Sequence, residues 1–253
     1  MVFTDIKNST KLWENHQTGM ALAIKEHFNI MRRQLRLIGG YEVKNEGDAL
    51  MASFSSVPAA MLWCFKVQEL LVIADWPQDI LDSMECKATY AKSDPTQPMY
   101  RGLSVRMGIH WGRPVSERDA VTRRMDYYGP MVNRAARICD SADGGEIFMS
   151  SDAYSEMHHL LSDPDIEQTD SPHAEHVREL KKQGFGVIEL GEKKLKGLET
   201  PDNLHLIYPS LLAGRLTMNP LKVIPGTPVL ESVSYLYMSH GVVLMFDSAR
   251  LTN

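Results

Sequence analysis

The chain has 253 residues, 43% of them hydrophobic and 23% charged, with a formal net charge of −5. That balance is ordinary for one large globular domain or a domain with an appendage, and it lacks the basic footprint of a general nucleic-acid binder, although a few placed Lys and Arg still suffice for one nucleotide. Three scattered cysteines (Cys64, Cys86, Cys139) fit reduced thiols rather than a zinc site or a disulfide framework, no apolar run approaches the ~18 residues of a bilayer-spanning helix, and the N-terminus has no signal-peptide pattern.

Residues 1–6 read as a strand, entered at Met1-Val2-Phe3 with almost no lead-in, as expected of a fragment of a longer protein. Leu12, His16, Met20, Ala23, His27, Met31, Leu35 and Ile38 recur at spacings of three and four. They predict one long amphipathic helix, stopped by Gly39-Gly40. Residues 41–46 and 49–54 read as a hairpin turning through Gly47. Ser55-Ser56-Val57-Pro58 opens a second helix, with serine as a cap and proline in the first turn. Its predicted apolar face is Ala60, Trp63, Val67, Leu70 and Ala74. Residues 77–100, broken by Pro77, Pro95 and Pro98, read as irregular.

Residues 103–109 alternate as a strand, 130–142 read as a third helix, 147–149 as a short strand, and 151–161 as a helix. The polar, acidic stretch 162–176 reads as a surface insertion. Strands follow near 185–190 and 203–208. The remaining 209–253, with four prolines, read as a tail or appendage to a domain spanning 1–208. The opening order β-α-β-β-α-β matches the split βαβ, or ferredoxin-like, unit. The predicted fold class is therefore α+β: an antiparallel-rich sheet with helices on one face, a C-terminal subdomain and a tail.

Two acids stand out. Asp5 closes the first strand and Asp48 sits at the hairpin turn, so in a split βαβ unit they point at one spot. Two converging carboxylates repel unless a proton or cation lies between them, and oxygen ligands suit Mg²⁺ or Mn²⁺. On their own the two also read as ordinary turn aspartates. Gly108-Ile109-His110-Trp111-Gly112-Arg113 runs a strand into a glycine-flanked loop whose arginine is a candidate phosphate contact, while His110 reads as a packed histidine. Asn133 and Arg137, four apart, share a helix face. Lys193-Lys194-Leu195-Lys196-Gly197-Leu198 reads as a solvated lysine run.

Five segments in order resemble the class III nucleotide cyclase catalytic domain. They are Phe3-Thr4-Asp5-Ile6, Lys44-Asn45-Glu46-Gly47-Asp48-Ala49, Gly108-Ile109-His110-Trp111-Gly112-Arg113, Asp126-Tyr127-Tyr128-Gly129 with Asn133-Arg134-Ala135-Ala136-Arg137, and Leu195-Lys196-Gly197. The wording is similar to the catalytic domains of fungal Ras-linked adenylate cyclases. The resemblance implies that Asp5, Asp48 and the carbonyl of Ile6 hold two Mg²⁺ or Mn²⁺ ions. It implies that Arg113 and Lys196 bind phosphates, that Asn133 orients the ribose, and that Arg137 meets charge on the α-phosphate. Lys44 and Asp126 would read the base. Adenine offers an acceptor at N1 and a donor at N6, which suits a pure donor beside a pure acceptor; guanine reverses both.

The implied activity is conversion of ATP to cyclic AMP and pyrophosphate. The sites would lie between two copies of the chain, with the metal acids and Arg113 from one copy and Lys44, Asp126, Asn133, Arg137 and Lys196 from the other. The alternatives are a catalytically silent dimerisation domain or a cyclase of another nucleotide. The resemblance also implies a cytoplasmic placement, peripheral at a membrane through the parent protein, and Ras-type and cyclase-associated regulators acting through that parent.

Overall fold

The computed structural model describes residues 1–91 and 94–218, together with the short strands Tyr235–Tyr237 and Val243–Met245. Apart from those two strands, the tail from 219 onward lies outside the described residues.

The opening strand β1 (Val2–Ile6) is built on alternation: Val2, Thr4 and Ile6 are buried, while Phe3 and Asp5 are only partly so. Its successive side chains face opposite sides of the sheet, as a pleated strand requires. The predicted long helix is two helices, α1 (Ser9–Asn15) and α2 (Gln17–Ile38), broken at His16, whose φ of −136° and ψ of 45° are not helical. Contacts from another segment account for the break. His16 Nδ1 lies 2.7 Å from Asp79 Oδ1, and a Cβ on Gly19 would come within 2.7 Å of Asp79 Oδ2. The chain bends where α4 (Gln78–Leu81) presses on it. Met20, Ala23, His27, Ile30, Met31 and Leu35 then form the buried stripe of α2. Gly39 ends that helix in the left-handed region (φ 85°), its N–H bonded to Leu35 O at 3.1 Å.

β2 (Tyr41–Glu46) and β3 (Ala49–Ser53) form the expected hairpin, turning through Gly47 at φ 61°. α3 (Val57–Ile73) starts as predicted, with Ser56 Oγ accepting the N–H of Ala59 at 3.3 Å and Pro58 in the first turn. A one-sided face understates this helix, since it is buried nearly all round, from Val57 to Val72. α2 packs on one side of it and α7 (Pro172–Gln183) on another. The stretch 162–176, predicted as a surface insertion, lies mostly at the surface but is anchored at Ile166 and Ala174. After α6 (Ser151–Ser162), Ile166 turns inward, and Ala174, Val177 and Leu180 bury one stripe of α7. Residues 77–100 are also more ordered than predicted: besides α4 they hold β4 (Thr89–Ala91) paired with β5 (Asp94–Tyr100).

Among the described residues, seven strands make the main sheet. To those above it adds β6 (Val105–Ile109), β9 (Ile147–Met149), β10 (Phe185–Lys193) and β11 (Asp202–Pro209), in the order β10-β11-β9-β6-β1-β3-β2. The stretch β6-β1-β3-β2 is the ferredoxin-like core, and β9 joins β6 in parallel. β7 (Val115–Arg118) and β8 (Met125–Tyr128) form a separate hairpin. Helices do not keep to one face. α2, α3, α6 and α7 cover the side of Val2 and Ile6, but α5 (Pro130–Ser141) lies on the other, where Val132 and Ala135 meet Met1, Val43 and Met51. α5 sits so close that a Cβ on Gly108 would be 2.3 Å from the backbone N of Cys139.

Candidate active site

The face under α5 is where the predicted residues gather. The β1–β3 register brings Asp48, just before β3, to the end of β1, and its Oδ2 accepts the N–H of Ile6 at 3.3 Å. Asp5, Ile6 and Asp48 thus share one corner. Across β1, Asp5 is paired in register with Arg106 of β6. Nε of Arg106 reaches Asp5 Oδ2 at 2.9 Å and Nη2 reaches the same oxygen. The donors offered here are all oxygens, with no His or Cys among them, which fits a hard divalent cation. Among the described residues no group of three or more His, Cys, Asp or Glu side chains could hold a metal ion; this corner is a two-carboxylate site.

Lys44 and Asp126 come together as the resemblance implied. The β7–β8 hairpin docks on β2 through Tyr41, whose hydroxyl donates to Met125 O at 3.2 Å and accepts Met125 N–H at 3.0 Å. That sets Asp126 beside Lys44, Nζ to Oδ2 at 3.3 Å, with both side chains about two-fifths exposed. Donor and acceptor stand side by side and open to solvent. Asn133 is exposed on α5, and Arg137, one turn on, is held by Asp140 at 2.9 Å. Asp140 also receives Arg106, through its backbone carbonyl at 3.3 Å and its carboxylate at 4.0 Å.

The three lysines separate. Lys193 lies over the ring of Phe148, 4.8 Å from its centroid, and burial lowers its pKa. Lys196 is exposed, in a loop anchored by the buried Leu195, which packs in the same cluster as Ile138 of α5. Lys196 is therefore carried near the Asn133–Arg137 helix. Arg134 fixes that loop, bonding Asp202 at 3.0 Å and Thr200 at 3.3 Å.

Arg113 is not brought to the acids. β1 and β6 are antiparallel, with Val2 opposite Ile109, so the loop after β6 leaves from the end of β1 away from Asp5. Arg113 lines an open groove there with His110, Trp111, Met131, Arg134 and Asp152. The expectation that the acids and Arg113 form one half-site within a chain is not met. His110 is a packed histidine, as read: its Nδ1 lies 2.8 Å from Ser150 Oγ, and burial lowers its pKa to about 4 despite the nearby Asp152. The three cysteines are free and buried. Burial raises the thiol pKa of each, that of Cys86 to about 11.

Residues 1–200 match the model of the adenylate and guanylate cyclase catalytic domain. The chain belongs to that family. An adenylate cyclase of Mycosarcoma maydis is 50% identical over 91% of this chain, and one of Schizosaccharomyces pombe 51% identical over 85%. The matched stretches are 10% and 13% of those relatives, so the chain spans about a tenth of their length. Among solved structures, a Trypanosoma brucei adenylate cyclase described in its monomeric state is similar at a TM-score of 0.64 and 26% identity, covering 94% of this chain and 93% of that one. The adenylyl cyclase CyaB of P. aeruginosa shares the fold at a TM-score of 0.56 and 19% identity, covering 83% of this chain and 92% of that one.

Proposed function

We propose that this domain converts ATP to 3′,5′-cyclic AMP and pyrophosphate, in a homodimer with two sites between the chains. The observation that carries the reading is the Lys44–Asp126 pair, a donor and an acceptor 3.3 Å apart on one open surface. Adenine's N6 amino group would donate to Asp126 while its N1 accepts from Lys44. Guanine would oppose donor to donor and acceptor to acceptor, and unpaired polar groups of that kind discriminate strongly.

Asp5, Asp48 and the Ile6 carbonyl would hold the divalent ions. Such ions lower the pKa of a bound hydroxyl and neutralise phosphate charge. Asn133 would orient the ribose so that its 3′-oxygen faces the α-phosphorus. Arg137 would place its guanidinium where negative charge grows on the α-phosphate, and Lys196 would bind the terminal phosphates. Arg113 lies too far from the acids of its own chain to be given a step. The β7–β8 hairpin supports pairing with a second copy: all of β7 is exposed, and Val115, Val121 and Tyr128 present apolar surface. Regulators of Ras or cyclase-associated type would act through other parts of the parent protein.

The test is complementation. Asp48→Ala and Arg137→Ala chains should each be inactive. Mixed in equal amounts they should regain about a quarter of the wild-type rate, since half the dimers are mixed and each of those keeps one intact site of two. A mixture as inactive as its parts would overturn the shared site. Cyclic GMP produced in place of cyclic AMP would overturn the base assignment.

A further inference from the structure

The loop between β10 and β11 carries a hydroxyl that the scheme above leaves unused. Thr200 is exposed, and so is Pro201 after it. Its Oγ1 accepts from Nη2 of Arg134 at 3.3 Å. The other terminal nitrogen of Arg134, Nη1, bonds Asp202 Oδ2 at 3.0 Å. The Asp202 side chain is fully buried, and its second oxygen accepts the N–H of Ser151 at 3.3 Å and the Ser151 hydroxyl at 2.9 Å. This carboxylate therefore fixes the guanidinium from the inner side and leaves one nitrogen turned to the surface at Thr200. The same loop carries Lys194, Lys196 and Glu199, all exposed. Ser171-Pro172 is the other hydroxyl–proline pair among the described residues. There the hydroxyl is partly buried and already caps α7, accepting the N–H of Ala174 at 3.2 Å.

We propose that Thr200 is a phosphorylation site for a proline-directed protein kinase, that Arg134 receives the phosphate, and that the added charge weakens nucleotide binding at this loop. The last part rests on the reading of Lys196 as a phosphate-binding residue. In the transfer, Thr200 Oγ1 attacks the γ-phosphorus of ATP held by the kinase. The bond from that phosphorus to the β–γ bridging oxygen breaks, ADP leaves, and the hydroxyl proton passes to a base of the kinase. Pro201 biases Thr200 toward extended backbone, the shape in which a substrate chain crosses a kinase groove. The product carries a charge of about −1.5 to −2 at pH 7 and three strong acceptor oxygens. A guanidinium already within hydrogen-bond reach, and fixed from behind by Asp202, then gains a charge-assisted bond with little further ordering. The phosphate also competes for Lys196 with the terminal phosphates of a nucleotide and repels them.

The experiment uses the full chain, a purified proline-directed kinase and ATP labelled on its γ-phosphate. Label should enter the folded wild type at position 200 and be lost from that position in Thr200→Val and Pro201→Ala. Absence of label at 200 in the wild type overturns the site, and full labelling in Pro201→Ala overturns the proline-directed class. Phosphothreonine installed at 200 by genetic encoding then isolates the consequence. Its second ionisation, followed by the phosphorus resonance against pH, should fall about 0.5 below that of a free phosphopeptide of residues 197–204, because the guanidinium favours the dianion. Equal values overturn reception by Arg134.

In the same encoded protein, KM for ATP should rise about threefold at physiological salt with kcat unchanged, and the rise should shrink as salt is added. Lys196→Ala separates the two ideas. An unchanged KM in that variant overturns the reading of Lys196 itself. A raised KM there, with none from phosphothreonine at 200, overturns only the effect of the phosphate on nucleotide binding.

Discussion

Within β1 the two faces of the sheet part ways one residue at a time. Val2 and Ile6 enter an apolar layer closed over by α2, α3, α6 and α7. Phe3 and Asp5 face α5, where an apolar end (Met1, Val43, Met51, Val132, Ala135) gives way to a charged one (Asp5, Arg106, Asp140, Arg137). The difference teaches that stability and chemistry are carried by opposite sides of the same strands. A closed face can be dry and dense because the other face holds the charges, and half-exposed charges there cost little to keep.

The comparison breaks first on the closed face. Trp63 is fully buried, stacks at a tilt 5.6 Å from Phe54, and donates its indole N–H to Met31 O at 3.1 Å. Trp63→Ala should lower unfolding free energy by about 3–5 kcal/mol, measured by urea denaturation. On the open face, Arg137→Ala should lose about 10²–10³ in kcat. Its unfolding free energy should move by less than ~1 kcal/mol, because the Asp140 pair is half-exposed and weak. A stability loss as large as that of Trp63→Ala would erase the division.

Gly108→Ala joins the two sides, since its new methyl meets the α5 backbone. It should cost about 1–3 kcal/mol by overpacking and lower activity with it, as α5 carries Asn133 and Arg137. Unchanged thermal unfolding would mean that α5 is not seated as described.

Taken per pH unit, the smallest effect is titration. His27 is buried on α2 with neither ring nitrogen bonded, and burial, then Arg32, lowers its pKa to about 3. The folded value lies below the unfolded one of about 6.5. Its contribution is therefore full above pH 6.5 and is lost as pH falls toward 3, at about 1.4 kcal/mol per pH unit. His110 adds a similar loss between 6.5 and about 4. His27→Leu should flatten the decline measured by unfolding at pH 7, 6 and 5. An unchanged slope would remove His27 from the account.

Much of this was legible in the residues. The Gly39 stop, the Gly47 hairpin and the Ser56-Pro58 start each depend on local backbone chemistry and stand as read. The break at His16 was hidden because its cause, Asp79, is 63 residues away. α7 was passed over because its exposed side is so polar, although Val177 and Leu180 sit at helical spacing with Ala174. In the site, Asp5 and Asp48 could be picked out from strand ends, while Lys44 and Asp126 came only from the family resemblance. Arg106 could not. It sits in an alternating strand as an ordinary outward residue, and only the β1–β6 register sets it against Asp5. Arg113 erred for the same reason in reverse: an antiparallel neighbour carries it away from the corner.

Arg215, past the last main-sheet strand, bonds Met99 O, Gln68 Oε1 and Gly145 O at 2.7–2.8 Å, and its guanidinium faces the Tyr100 ring at 4.6 Å. Beside it Leu212 is buried with Val72, Ala91 and Met99. One side chain thus ties the hairpin after α3, α3 itself and the turn before β9 to a single late point. The practical meaning is one of length. A chain ended after Tyr208 would keep every residue of the candidate site yet lose the clasp that joins three early segments, so the shortest fragment that melts as one unit should run to Met218.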